Sequence, residues 1–114
     1  MSKRPERDDN PRSMPRVLWT DEAEEQLTKL QSDRTVMELL GLAAGLGQFP
    51  GRGRRVPELR SRPEYGIVRE VILPRKARLF YLFIPDSDEV IILGLLPKGR
   101  EFRLQALGSY FSSD

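Results

Sequence analysis

The sequence predicts an α+β domain: an N-terminal strand and a helical hairpin packed on a small twisted antiparallel β-sheet. Three observations predict it. Apolar residues recur at helical spacing between positions 20 and 46. Three strand-like apolar runs follow between positions 67 and 96, separated by turn residues. The chain has 114 residues, enough for one domain with a single core.

Residues 1–15 are polar and charged, carry Pro5, Pro11 and Pro15, and read as a disordered arm. Arg16, Val17, Leu18 and Trp19 form a short edge strand, with Trp19 as a core anchor. Thr20 then caps a helix whose first turns hold Asp21, Glu22, Glu24 and Glu25, where carboxylates favour the helix dipole. Ala23, Leu27 and Leu30 make its buried stripe. Ser32 or Asp33 caps a second helix running to about Leu46, with Val36, Leu39, Leu40, Ala43 and Leu46 as its apolar face. Gly41 and Gly45 lower its propensity by ~1 kcal/mol each, a cost that points to close approach to the first helix or the sheet.

Pro50 and Gly51 make a turn, and residues 56–59 read as a short strand. A strand over 67–73 carries Arg69 and Glu70 on opposite faces. The next, over 77–84, sets Arg78, Phe80, Leu82 and Ile84 on one face and Ala77, Leu79, Tyr81 and Phe83 on the other. Residues 85–88 turn the chain, and the run over 89–96 is nearly all apolar, as a strand covered on both faces is. The tail forms one weak helix before a frayed end at 112–114, so the domain spans 16–111.

Composition narrows the chemistry. The chain has no cysteine and no histidine, which removes the thiol nucleophile, the commonest general base and the commonest metal ligands together. Its carboxylates are scattered, so neither a metal nor a cofactor is expected. No apolar run approaches the ~18 residues of a membrane span, and the N-terminus has no apolar core of a secretory signal. A cytoplasmic protein without a membrane partner is the expectation.

The net charge of +2 hides an asymmetry. Residues 50–78 hold nine Lys and Arg against three Glu, a local charge of +6, between slightly acidic flanks. Such a block is the electrostatic footprint of an anionic partner, nucleic acid or acidic protein. Arg52, Arg54, Arg55, Arg69, Arg78, Lys98 and Arg100 are the candidates for contact with a target or phosphate, since arginine pairs with phosphate or carboxylate at two points at once. The loop from Gly51 to Arg55 could cradle phosphate, although it lacks the lysine and Ser/Thr of a P-loop. Arg78 has a plainer reading as well, pairing with Glu70 or Glu101 to hold the sheet.

Five stretches carry a resemblance, and none is specific alone. They are Trp19-Thr20-Asp21-Glu22-Ala23, the run from Leu46 to Gly53, Val68-Arg69-Glu70-Val71, Ala77-Arg78-Leu79-Phe80-Tyr81, and the run from Val90 to Glu101. In order and spacing they resemble the RelE/ParE superfamily of toxins from type II toxin–antitoxin modules, over about 17–103. The resemblance implies an α+β fold, growth inhibition, and a cognate antitoxin partner.

It also implies one of two activities or, as a further alternative, an inactive toxin-fold module that only binds its antitoxin. RelE-like members are ribosome-dependent mRNA endoribonucleases, using strand arginines and lysines with a C-terminal Tyr or His. ParE-like members poison DNA gyrase without being nucleases. On the nuclease reading, which needs no metal, the catalytic set would be Arg78, Lys98, Arg100 and Tyr110; Tyr81, the other tyrosine that could carry the proton, lies on the opposite strand face from Arg78. The strand lysines of that type are missing, with Arg69 and Val71 nearest to their places, and Tyr110 lies ten residues after Arg100. Lys98-Gly99-Arg100-Glu101 resembles the common ParE ending with its histidine replaced. The sequence therefore stands closer to ParE.

Overall fold

The structure is a computed structural model and describes residues 14–65 and 67–111. The frayed end expected at 112–114 and most of the arm expected at 1–15 lie outside them. Strand β1 (Arg16–Trp19) leads into helix α1 (Asp21–Thr28) and helix α2 (Asp33–Gly45). Strand β2 (Arg54–Arg55), two short 3-10 turns (Pro57–Leu59 and Pro63–Tyr65), and strands β3 (Arg69–Leu73), β4 (Ala77–Ile84) and β5 (Glu89–Pro97) follow. A last 3-10 turn covers Leu104–Leu107.

Both helices start where local chemistry demands. The Thr20 hydroxyl accepts from the Ala23 amide at 3.1 Å, and the Ser32 hydroxyl accepts from the Thr35 amide at 3.1 Å. Each cap satisfies an amide that the first turn leaves without a partner, a contribution of about 1 kcal/mol. Helix α1 lies against β5 and α2 against β3.

The sheet has five strands in the order β1-β5-β4-β3-β2. Four strands pair antiparallel, but β1 runs parallel to β5, with Arg16 opposite Glu89 and Trp19 opposite Ile92. The layered α+β architecture is the one expected, and the sheet within it is mixed. A parallel neighbour requires a long crossover, and here the whole helical hairpin and the next three strands supply it.

Alternation on β4 divides the core as expected. Ala77, Leu79 and Tyr81 join Leu39, Ala43 and Ile92 on the helical side. Phe80 and Leu82 join Val56, Leu59, Leu93 and Leu107 on the other. The 3-10 turns and the C-terminal segment cover that second face, so β5 is enclosed on both sides. The register slips between Phe80 and Tyr81, where Phe80 faces Gly94 and Tyr81 faces Ile92. Gln26 of α1 reaches this irregularity, its side-chain oxygen accepting from the Leu95 amide at 2.8 Å.

Three local expectations are corrected. Residues 56–59 are not a strand: Pro57 has no N–H to give a ladder, so the pairing is confined to Arg54 and Arg55 and the chain coils into a 3-10 turn. The strand expected from position 67 begins at Arg69. Gly41 mediates no close approach, since a Cβ there would meet nothing within 4 Å, and one at Gly45 would meet only the Arg52 guanidinium at 3.7 Å. The glycine that packing does require is Gly94, where a Cβ would collide with the Ala106 carbonyl and lie 2.8 Å from the Gln26 side-chain oxygen. Gly94→Ala should therefore lower the free energy of unfolding by about 1–3 kcal/mol, read as a fall in urea midpoint. An unchanged midpoint would mean that the C-terminal turn is not seated on β5.

Candidate functional site

The strand arginine is held from all sides. Strand β4 sets Arg78 on the face away from the helices, opposite Ile72 of β3. Its Nε donates to Glu70 at 2.8 Å, and its two terminal nitrogens donate to the two oxygens of Glu58 at 3.1 and 2.8 Å. The guanidinium carbon also lies 5.2 Å from the centre of the Phe80 ring and 5.6 Å from that of Phe102, within cation–π range. Glu70 has a fully buried side chain and accepts from Arg54 as well, at 2.7 Å. Two carboxylates thus face two guanidiniums in an alternating chain, Arg54, Glu70, Arg78, Glu58.

This pairing moves the protonation equilibria. Hydrogen bonding to Glu58 raises the Arg78 pKa, opposed by burial and reinforced by Glu70. Hydrogen bonding to Arg78 in turn holds the Glu58 carboxyl below its ordinary 4.5.

Tyr81, the next residue but two, faces the helical side and performs a different task. Its hydroxyl accepts from the Gly53 amide at 2.8 Å and donates to the Pro50 carbonyl at 2.7 Å. Burial raises its pKa, against the lowering by the Gly53 amide and the charges of Arg69 and Arg52. The phenol is therefore a clamp on the Pro50–Gly53 loop, and a Cβ at Gly53 would lie 2.5 Å from the Glu70 carbonyl and 2.7 Å from that hydroxyl. Arg69 binds the same loop from β3, donating to the Gly53 carbonyl at 2.9 Å. With the Arg52 amide donating to Phe49, the glycine-arginine loop has two of its amides engaged internally.

The remaining candidates fall at two places. Arg52 and Arg54 border a shallow groove of about 250 Å³ beside Glu70 and Ile72, while Arg55 is exposed on β2. Lys98 and Arg100 lie beyond the end of β5, on a turn with Gly99 at φ 86°. The Lys98 amide donates to the Lys76 carbonyl at 2.9 Å, which fixes this turn beside the β3–β4 turn. Together with Arg75 and Lys76 they border a groove of about 440 Å³ that Arg78 also reaches. Lys76 is paired with Glu38 of α2 at 2.6 Å. Tyr110 borders neither groove; its ring stands edge-on to Phe111 at 5.3 Å.

Sequence reading named Glu70 as a partner of Arg78 but missed Glu58 and Phe102. It also missed Arg75, although the signal was present: paired strands over 77–84 and 89–96 bring the turn before the first beside the turn after the second. Among the described residues no cluster of His, Cys, Asp and Glu could hold a metal ion.

A sheet of this order lies under two N-terminal helices, with a basic turn after its last strand. The model of the ParE toxin of type II toxin–antitoxin systems matches residues 17–102, so the chain belongs to the ParE toxin family. In fold it is similar to a chain of the toxin–antitoxin complex RelBE2 from Mycobacterium tuberculosis. That match has 24% identity and a TM-score of 0.63 and covers 75% of this chain and 99% of that one. It is also similar to the isolated RelE toxin of E. coli, with 16% identity and a TM-score of 0.59, over 76% of this chain and 87% of that one. No curated protein matches the sequence.

The Glu58 pairing has a pH signature. A depressed carboxylate pKa contributes stability that is present above the unfolded value and lost as pH falls through the folded one. Wild-type protein should lose stability on acidification below pH 4.5. Glu58→Gln should be less stable near neutrality and flatter with pH, read as urea midpoints across that range. Parallel curves for the two proteins would show that Glu58 does not hold Arg78 in solution.

Proposed function

We propose that this chain is a growth-inhibiting toxin, neutralised by a cognate antitoxin, that acts on DNA gyrase rather than cutting mRNA in the ribosome. Both targets, and the antitoxin, would place it in the cytoplasm. One observation carries the choice of target: the two side chains that β4 could offer to RNA cleavage are both engaged in holding the fold. Metal-independent cleavage needs a base for the 2′-hydroxyl, cations for the phosphorane and an acid for the leaving oxygen. Arg78 faces two carboxylates, which offset the charge it would bring to a phosphorane. Tyr81 is a buried phenol with raised pKa, unsuited to accept or exchange a proton near neutrality.

Lys98 and Arg100 border one groove, but Tyr110 does not stand in it, and the sequence holds no histidine to replace it. Cations without a proton carrier suit binding better than catalysis. The antitoxin reading is supported by the family, whose members are toxins of type II toxin–antitoxin systems.

Inducible expression in bacteria, with plasmid topology and transcript integrity read in parallel, tests this. Growth arrest with gyrase-linked DNA breaks and intact mRNA is expected. Arrest with in-frame mRNA cuts would overturn the reading in favour of the nuclease, and no arrest from folded protein would leave a binding module.

A further inference from the structure

We propose that the end of the sheet bounded by Arg75, Lys98 and Arg100 is a binding site for the phosphate backbone of duplex DNA. Two groups of cations near the β3–β4 turn and the sheet face differ in their partners. Arg54, Lys76 and Arg78 are matched by internal carboxylates. Among the described residues, the side chains of Arg75, Lys98 and Arg100 have no such partner, and no carboxylate borders the groove of about 440 Å³ that they share.

Their positions are set by the backbone. Arg75 sits at the β3–β4 turn with φ 65°, and the Lys98 amide ties the end of β5 to that turn. Arg100 also borders a second groove of about 570 Å³, where Lys29 and Arg103 are paired with Glu25 and Glu101, so the unpaired charge is confined to the first. The antiparallel pairing of β4 and β5 sends the opposite turn, with Asp86 and Asp88, to the far end of a strand roughly 26 Å long. The molecule is polarised along β4, basic at one end and acidic at the other. A polyanion is thereby steered to one end of the sheet.

Duplex DNA is favoured over an acidic protein by what the site lacks. A protein interface needs apolar anchors at its centre. Of the exposed large apolar side chains among the described residues, only Ile72 borders these two grooves; Met37, Leu40, Phe49 and Ile67 lie elsewhere. An open groove rimmed by three long cations without carboxylate partners, Arg75, Lys98 and Arg100, suits a chain of phosphates, whose binding is driven by counterion release. The site is a contact with DNA itself, so binding measured without gyrase separates it from the choice of cellular target.

The test uses the full chain and a fluorescent duplex about 20 base pairs long, titrated from about 50 to 200 mM salt. Wild-type protein should bind with a Kd on the order of 10 μM and a marked salt dependence. Arg75→Gln, Lys98→Gln and Arg100→Gln combined should lower the slope of log K against log salt by about 2.7, one phosphate per cation. Arg34→Gln, on the exposed face of α2, should leave the slope unchanged. These exposed positions should leave the fold intact, checked by circular dichroism. The proposal is overturned if folded wild-type protein shows no salt-dependent binding, if the triple variant keeps the wild-type slope, or if Arg34→Gln lowers it equally. It is also overturned if polyglutamate of equal charge displaces the duplex as well as unlabelled DNA does, which would mark a surface for acidic protein.

Discussion

The structure depends on how Arg78 is held. Its guanidinium joins β3 through Glu70, the Pro57–Leu59 turn through Glu58, and the C-terminal segment through the Phe102 ring. Hydrogen bonds to charged groups contribute about 1.5–3 kcal/mol net, and stripping one partner from a buried ion pair costs about 3–5 kcal/mol. Arg54 is 60% exposed on its side chain, so its share is smaller. Glu70 is the opposite case: a carboxylate with no solvent exposure is tolerable only because two guanidiniums reach it. On the other face, Tyr81 clamps Pro50 and Gly53. The basic stretch between α2 and β3 is thus pinned to both faces of the sheet, which explains how a segment with little regular structure keeps one path.

That arrangement separates two kinds of positive charge. Charge facing the sheet is neutralised and stabilises the fold. Charge beyond the strand ends, on Arg75, Lys98 and Arg100, meets no carboxylate in the groove those residues border. Within the ParE toxin family this distinction matters, because the fold is shared with relatives such as the RelE toxin and cannot itself name the target. A strand arginine available to a phosphorane and one enclosed by two carboxylates look identical in sequence.

Much of the fold was legible for local reasons. Thr20 and Ser32 announce helix starts because their hydroxyls satisfy amides a few residues away. The alternation from Ala77 to Ile84 and the unbroken apolar run of β5 report burial directly. What escaped was long-range. The parallel pairing of β1 with β5 joins residues some seventy positions apart. Glu58 sits in a polar, proline-bounded stretch whose sequence gives no sign of facing Arg78. Gly41 and Gly94 look alike in the sequence, yet one meets open space and the other lies under the Ala106 carbonyl. The surroundings of Arg78 were half legible: Glu70 was, and Glu58 and Phe102 were not.

The most direct measurement compares growth arrest with unfolding stability for Arg78→Lys and Arg100→Ala. A lysine keeps the charge of Arg78 but not its fork. The result expected is a clear loss of stability for Arg78→Lys, with arrest retained wherever the protein is folded, and wild-type stability with lost arrest for Arg100→Ala. A stable, harmless Arg78→Lys beside a fully toxic Arg100→Ala would contradict it, and would return the strand arginine to the centre of the chemistry.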